Sequence, residues 1–258
     1  MSATNHYTDI QNTAQGHAIR QPQPPAGYAS RPAAPSLKTG IRPGTVNPGR
    51  VFRLPFELDF IENPESFILD LPDPGSTASN KFQRLIAGAG LRTPGSPTNQ
   101  SIITVAGNSL CATGLAATLS QQGERVALLE FGYDHSLLRY LFSIADAQGL
   151  SDLMRQETTL QRVLSSARVE AGLPNLYVFH QGLMPVDWLT RVAAMNALIA
   201  TLGKRFNRII LSVPDLESHH RVLRVLSKLP VPYMMAFDSE QYLSVIQRFL
   251  PESVIHLV

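Results

Sequence analysis

Several features that would place a protein in a broad class are absent from this 258-residue chain. It has one cysteine, Cys111, so no disulfide can form within the chain, and a reducing compartment is expected. It has no run of about twenty apolar residues, and its polar N-terminus lacks the pattern of an export signal, so neither a membrane span nor secretion is predicted. Its 22 Lys and Arg residues are nearly balanced by 20 Asp and Glu residues. A protein that binds nucleic acid mainly through the phosphate backbone needs a larger excess of positive charge, so no nucleic-acid partner is predicted.

The sequence divides into three regions by composition. Residues 1–50 are rich in Pro, Ala, Gln, Ser and Gly, which bury too little apolar area to offset chain entropy, so a disordered tail is predicted. Within residues 51–99, apolar and polar residues first alternate as in an extended arm lying on the domain surface or on a neighbouring subunit. A helix at about 76–89 and a Pro- and Gly-containing linker at 93–100 follow. Residues 100–258 form the third region.

In this third region, short apolar runs alternate with helical patterns, which predicts an α/β fold with a doubly wound, mainly parallel sheet flanked by helices. The predicted strands lie at about 101–105, 126–131, 175–180, 208–213, 232–237 and 254–258. The predicted helices lie at about 109–122, 136–145, 149–156, 159–167, 186–205, 217–228 and 239–249.

Residues 100–131 have the layout of a nucleotide-binding βαβ unit. A buried strand runs into a short turn containing Gly107, then a helix of small residues and a second buried strand. In P-loop proteins this geometry aims backbone N–H groups at phosphate, with a Lys on the phosphates and a Ser or Thr on magnesium. The same layout also occurs in doubly wound domains that never bind phosphate, so the motif alone does not decide function.

Further motifs occur in the same order as in one family, which this sequence resembles. The family is the cytoplasmic ATPase domain of the bacterial tyrosine kinases (BY-kinases) that act in capsule and exopolysaccharide synthesis. These kinases are relatives of the MinD and ParA ATPases. The resemblance covers about residues 82–258 and implies a P-loop NTPase-like fold. The matching stretches, as they stand in this sequence, are Gly149-Leu150-Ser151-Asp152, Gly172-Leu173-Pro174-Asn175-Leu176-Tyr177-Val178 and Gln181-Gly182.

The resemblance also locates a degenerate nucleotide site. Gly107, Asn108 and Ser109 fall on the family's Gly-Lys-Ser, so Asn108 stands where the family has its lysine. The family inserts a longer loop before this motif, whereas here only Ala106 separates the strand from Gly107. The loop is therefore expected to be too short to wrap a phosphate.

Two later strand ends lack the family's acidic residues as well. Glu130 and Gly132 fall on its Asp-x-Asp motif, and Ser212 falls on the Asp of its Asp-Thr-Pro-Pro motif. Because phosphoryl transfer depends on positioning and on charge neutralisation by lysine and magnesium, no catalytic residue is predicted. ATP and magnesium are expected only under the alternative of an active enzyme, with Ser109 and Glu130 near the metal.

Two other properties of the family are missing. Its subunit-joining helix carries Glu-x-x-Arg-x-x-Arg, where this chain has Asn80, Gln83 and Ile86. Its C-terminal cluster of acceptor tyrosines has no counterpart here.

No structural metal is predicted, because the histidines are not spaced as metal ligands are. The adjacent His219 and His220 would point in different directions on a helix.

The resemblance implies a catalytically inactive tyrosine-kinase-like or ATPase-like subunit that regulates or scaffolds exopolysaccharide or capsule synthesis and export. Its partner would be the cytoplasmic part of a membrane polysaccharide co-polymerase or export protein. It would lie in the cytoplasm at the inner-membrane face, and a homodimer remains open. The alternatives are an active ATP-binding tyrosine autokinase and a MinD/ParA-like accessory protein of positioning or cellulose synthesis.

Overall fold

The computed structural model describes most of the chain after residue 49. The described residues are 50–56, 67, 70–91, 102–132, 136–144, 148–168, 172–182, 184–213, 216, 220–237 and 240–258. The predicted disordered tail, except Arg50, and the predicted linker at 93–100 lie outside them.

The centre of the fold is a seven-stranded parallel sheet in the order β1-β7-β6-β2-β5-β3-β4. The strands are β1 (Val51–Arg53), β2 (Ile102–Ala106), β3 (Val126–Glu130), β4 (Leu176–Phe179), β5 (Arg208–Val213), β6 (Tyr233–Ala236) and β7 (Val254–Leu257). Six strands lie where the apolar runs predicted them. The seventh, β1, lies at the start of the predicted extended arm, and its backbone pairs with β7 and extends the sheet.

Helices connect the strands. They are α1 (Thr77–Gly88), α2 (Ser109–Gln121), α3 (Leu137–Leu141), α4 (Leu150–Met154), α5 (Leu160–Ser166), α6 (Val192–Leu202), α7 (His220–Leu226) and α8 (Leu243–Phe249), with 3₁₀ turns at Trp188–Arg191 and Glu240–Tyr242.

Several predicted helices are shorter than expected, and the structure shows the reason for two of them. The helix predicted at 136–145 ends at Leu141, because the chain reverses at Ser143, whose φ is +50°. The helix predicted at 186–205 begins as a 3₁₀ turn, because the Asp187 side chain accepts a hydrogen bond from the Leu189 N–H at 3.1 Å and fixes a tight first turn. Its α-helical part starts only at Val192.

Each face of the sheet carries its own apolar core. One core joins α1 and α2 to alternate strand residues such as Val105 and Leu128. The other core joins α4 and the helices from α5 to α8 to the intervening residues, such as Leu129 and Leu211. This division follows the period of two along each strand, since successive side chains point to opposite faces.

The two strands of the predicted βαβ unit are not neighbours in the sheet. β5 lies between β2 and β3 and pairs with both. All three strands are parallel, so their carboxyl ends meet at one edge beside the N-terminus of α2.

Within the described part of the chain, no helix is both long enough and apolar enough to cross a bilayer.

Candidate functional site

The carboxyl ends of β2, β5 and β3 bring together the predicted site residues. Ser212 is the register partner of Val105 on one side and of Glu130 on the other. Because register partners point to the same face of a parallel sheet, the Ser212 and Glu130 side chains both lie on the α2 face. The Ser212 hydroxyl donates a hydrogen bond to the Ser109 hydroxyl at 3.2 Å, which joins β5 to the first turn of α2.

The turn between β2 and α2 consists of two residues. Gly107 has a φ of +94°, a left-handed conformation that favours glycine, and its N–H donates to the Val213 carbonyl at 2.9 Å. Asn108 then precedes Ser109, the first residue of the helix. The backbone thus passes directly from strand to helix, as the short loop in the sequence predicts, and forms no wider cradle.

Asn108 is the N-cap of α2. Its side-chain oxygen accepts hydrogen bonds from the N–H groups of Leu110 at 2.8 Å and Cys111 at 3.3 Å. The first N–H groups of a helix have no partner within the helix and are the groups that bind phosphate in nucleotide sites. Here two of them are satisfied by the Asn108 side chain.

Glu130 is buried, with 1% of its surface exposed, and three donors surround its carboxyl group. The N–H groups of Leu138 and Gln181 donate to it at 3.0 Å and 3.1 Å, and the Ser136 hydroxyl donates a further hydrogen bond. Burial raises the pKa of Glu130, and the hydrogen bonds oppose part of that rise. The carboxyl group therefore links β3 to α3 and to the end of β4.

Gly132 has no side chain to bind a metal, and its carbonyl has a structural partner. The Trp188 indole Nε1 donates to this oxygen at 3.0 Å, and the Trp188 ring lies 4.8 Å from the Phe131 ring. Trp188 is fully buried. It is a packing anchor between the 3₁₀ turn and the residues that follow β3.

Sequence reasoning missed the partners of Glu130, which are Ser136, Leu138 and Gln181. Gln181 belongs to a motif quoted above, but its backbone contact with Glu130 joins residues 51 positions apart and has no signal in a single sequence. Ser136 was predicted only as the beginning of a helix. It has that role too, since its hydroxyl accepts from the Arg139 N–H at 3.1 Å.

The Gly149-to-Asp152 turn packs against the end of β4, next to this network. The Leu150 N–H donates to the His180 carbonyl at 3.0 Å, and the Ser151 N–H donates to the Gln181 carbonyl at 2.7 Å. A side chain at Gly149 would lie 2.4 Å from the Gly182 backbone nitrogen. The close contact explains why residues 149 and 182 are both glycine. It also places the Gly149-to-Asp152 motif beside the Gln181-Gly182 motif.

No family model and no curated protein matches this chain. Solved structures do match it. The chimerical protein CapA2B2 has a TM-score of 0.63 at 16% identity, over 82% of this chain and 94% of that chain. The kinase domain of the Escherichia coli tyrosine kinase ETK has a TM-score of 0.60 at 15% identity, over 80% and 88%. The BceF tyrosine kinase domain has a TM-score of 0.58 at 15% identity, over 82% and 94%.

At these identities the likeness concerns the fold, and it agrees with the sheet described above. In this chain the fold compared is the parallel seven-stranded sheet flanked by helices. The chain thus has the α/β P-loop NTPase-like fold seen in bacterial tyrosine kinase domains.

Proposed function

We propose that this chain is a catalytically inactive tyrosine-kinase-like subunit that regulates or scaffolds exopolysaccharide or capsule synthesis and export at the cytoplasmic face of the membrane. The fold supports the kinase-like part of the proposal. The observation that carries the inactive part is the capping of α2 by Asn108, because it engages N–H groups that a nucleotide phosphate would need.

A phosphate at this turn would have to displace the Asn108 side chain, and it would meet no lysine there. In P-loop enzymes the lysine neutralises the β- and γ-phosphates, and much of the catalytic effect comes from such neutralisation. An asparagine amide carries no charge. The two-residue turn at Gly107 and Asn108 also has too few N–H groups to surround a phosphate.

The predicted metal ligands do not fit a magnesium ion either. Magnesium requires oxygen ligands in near-octahedral geometry and keeps several waters. Glu130 is the carboxylate at the predicted positions, and its oxygens already accept hydrogen bonds from Ser136, Leu138 and Gln181. Gly132 has no side chain, and Ser212 has a neutral hydroxyl that donates to Ser109.

The proposed role is therefore one of binding and positioning. A protein with this fold and no nucleotide chemistry would act through its surface, by docking to the cytoplasmic part of a membrane co-polymerase or export protein. The assignment to polysaccharide synthesis rests on the collinear sequence motifs that resemble that family.

Genetic complementation tests the role. Deleting the gene in its host should abolish polymer production or change the polymer length, and a wild-type copy should restore it. A copy encoding Asn108→Asp and Ser212→Ala should restore it equally, because aspartate at position 108 keeps the helix cap, alanine at position 212 keeps a small buried side chain, and neither the Asn108 amide nor the Ser212 hydroxyl has a chemical role in the proposal.

Two results would contradict the proposal. A folded and expressed double variant that fails to restore the polymer would show that these site residues take part in chemistry. A deletion that leaves the polymer unchanged but disturbs partition or division would favour the MinD/ParA-like alternative.

A further inference from the structure

The edge of the sheet at which the strands begin carries a cluster of exposed cations. Because all seven strands are parallel, the turns that lead into them lie together at this edge. Lys204 and Arg205 precede β5, and Arg125 precedes β3. Arg168 forms an isolated β-bridge with Tyr177 of β4. The four cations, Arg125, Arg168, Lys204 and Arg205, are all exposed, and we call them the basic edge.

The fold holds the four cations close together, because β5, β3 and β4 are adjacent strands. The Asn207 N–H donates to the Arg125 carbonyl at 2.8 Å, and the Asn207 side-chain oxygen accepts from the Arg125 N–H at 2.8 Å. These two hydrogen bonds tie the turn before β5 to the turn before β3. Since neighbouring strands lie about 4.8 Å apart, the backbone of the basic edge spans roughly 15 Å.

Negative charge does not balance this cluster. Among the residues that the structure describes, no carboxylate lies within ion-pair distance of any of the four cations. Glu124, next to Arg125, is buried and pairs with the Arg208 Nε at 2.6 Å, so its charge is already compensated. Glu252, an exposed carboxylate at the same edge, precedes β7, three strands away from β5. Like charges repel, so the cluster does not stabilise the chain that carries it.

We propose that the basic edge binds an anionic phospholipid surface. Lipid headgroups spread negative charge over a plane, and cations at the tips of adjacent turns can contact such a plane together. Each Lys or Arg close to the surface strengthens binding about fivefold. Salt screens charges that are more than about 8 Å apart at physiological ionic strength. The lipid surface therefore responds to the basic edge and much less to the small net charge of +2.

The aromatic rings at the basic edge do not suit a single-stranded nucleic acid. Such a ligand gains affinity when its bases stack on exposed aromatic rings. The Phe206 side chain is 5% exposed. The Arg125 guanidinium lies over the Phe206 and Tyr177 rings, 5.4 Å and 5.8 Å from their centroids. The lipid contact goes beyond the proposed function, in which a membrane protein is the partner, and does not rest on it.

Flotation of the full chain with lipid vesicles tests the contact. Vesicles of phosphatidylglycerol and phosphatidylcholine in equal parts should carry the protein upwards at near-physiological ionic strength, and vesicles of phosphatidylcholine alone should not. High salt should release the protein, because it screens the attraction. A chain that does not float with the anionic vesicles would overturn the proposal without affecting the complementation result.

A paired substitution locates the contact. Lys204→Gln, Arg205→Gln removes two cations of the basic edge and should weaken binding to the anionic vesicles roughly 30-fold. Arg84→Gln, Arg221→Gln is the matched control, because both arginines are exposed, lie on helices and change the net charge equally. The control should bind as wild type does. An equal loss in both variants, or none in the first, would overturn the proposal.

Competition separates lipid from the other polyanions that the same cations attract. A DNA duplex of random sequence and a polyglutamate peptide are each added at the same concentration of negative charge as the anionic vesicles. Neither should displace the chain from the vesicles. Displacement by the duplex or by the peptide would overturn the choice of lipid and would identify the class of the partner.

Discussion

The Phe82 ring of α1 occupies the space that a side chain at Gly114 of α2 would need. A Cβ at Gly114 would lie 2.1 Å from the Phe82 Cε2 atom, far closer than van der Waals contact allows. Phe82 is fully buried, contacts the rings of Phe56 and Phe67, and has little room to move. The contact sets how closely α1 approaches α2, the helix that begins after the turn at Gly107 and Asn108.

Gly114→Ala should therefore destabilise the protein, although alanine normally favours a helix. Overpacking a buried contact costs about 1–3 kcal/mol, and chemical denaturation measures the loss. Gly88→Ala is the matched control, because a Cβ there would lie 3.6 Å from Leu54, an ordinary contact, and the change should be neutral or slightly stabilising. Equal stability of Gly114→Ala and wild type would argue against the close helix packing.

Asn108 should contribute to stability as a helix cap. Asn108→Ala removes the acceptor for the Leu110 and Cys111 N–H groups and should cost about 1 kcal/mol in urea unfolding. Asn108→Asp keeps the acceptor and adds a negative charge at the helix N-terminus, so its stability should equal or exceed that of wild type. An alanine variant as stable as the aspartate variant would show that the cap has no energetic role.

Glu130 should make stability depend on pH in a defined direction. Burial raises its pKa in the folded state, so the folded protein binds a proton more readily than the unfolded chain. In the pH range between its raised pKa in the folded state and its ordinary pKa of 4.5, the contribution of this group to the free energy of unfolding therefore increases as pH falls. Measured from pH 7 towards pH 5, the free energy of unfolding of wild type should rise relative to that of Glu130→Gln. A constant difference would mean that the pKa of Glu130 is not raised.

His256 should act in the opposite direction. It is packed between Phe52 and Tyr233, and burial lowers its pKa from 6.5 to about 4. The unfolded chain binds its proton first, so the stability present above pH 6.5 is lost as pH falls from 6.5 towards 4. Relative to His256→Phe, which keeps a ring in the stack, wild type should lose up to about 3 kcal/mol over this range. Parallel pH profiles of the two proteins would refute this.

The sequence was sufficient to predict the fold where local patterns determine structure. The short apolar runs predicted six of the strands, and the order of the motifs predicted a fold that the matching solved structures share. The sequence placed Glu130 and Ser212 at the ends of strands and Ser109 at the start of a helix, and the parallel sheet brings these ends to one edge.

What the sequence did not predict depends on contacts between distant residues. The arm was recognised as extended, but its pairing with β7 joins residues about 200 positions apart. The partners of Glu130 likewise include Gln181, which only the folded sheet brings close. A period-two pattern shows that a segment is extended, but it does not show which strand that segment will join.

The most direct test of the central claim is calorimetric titration of the full chain with ATP, with and without magnesium. Because Asn108 caps the N–H groups of α2 and the turn at Gly107 is short, we predict no saturable binding up to millimolar nucleotide, and none for Asn108→Lys, since one lysine does not lengthen the turn. Magnesium-dependent binding with a micromolar dissociation constant would contradict the account.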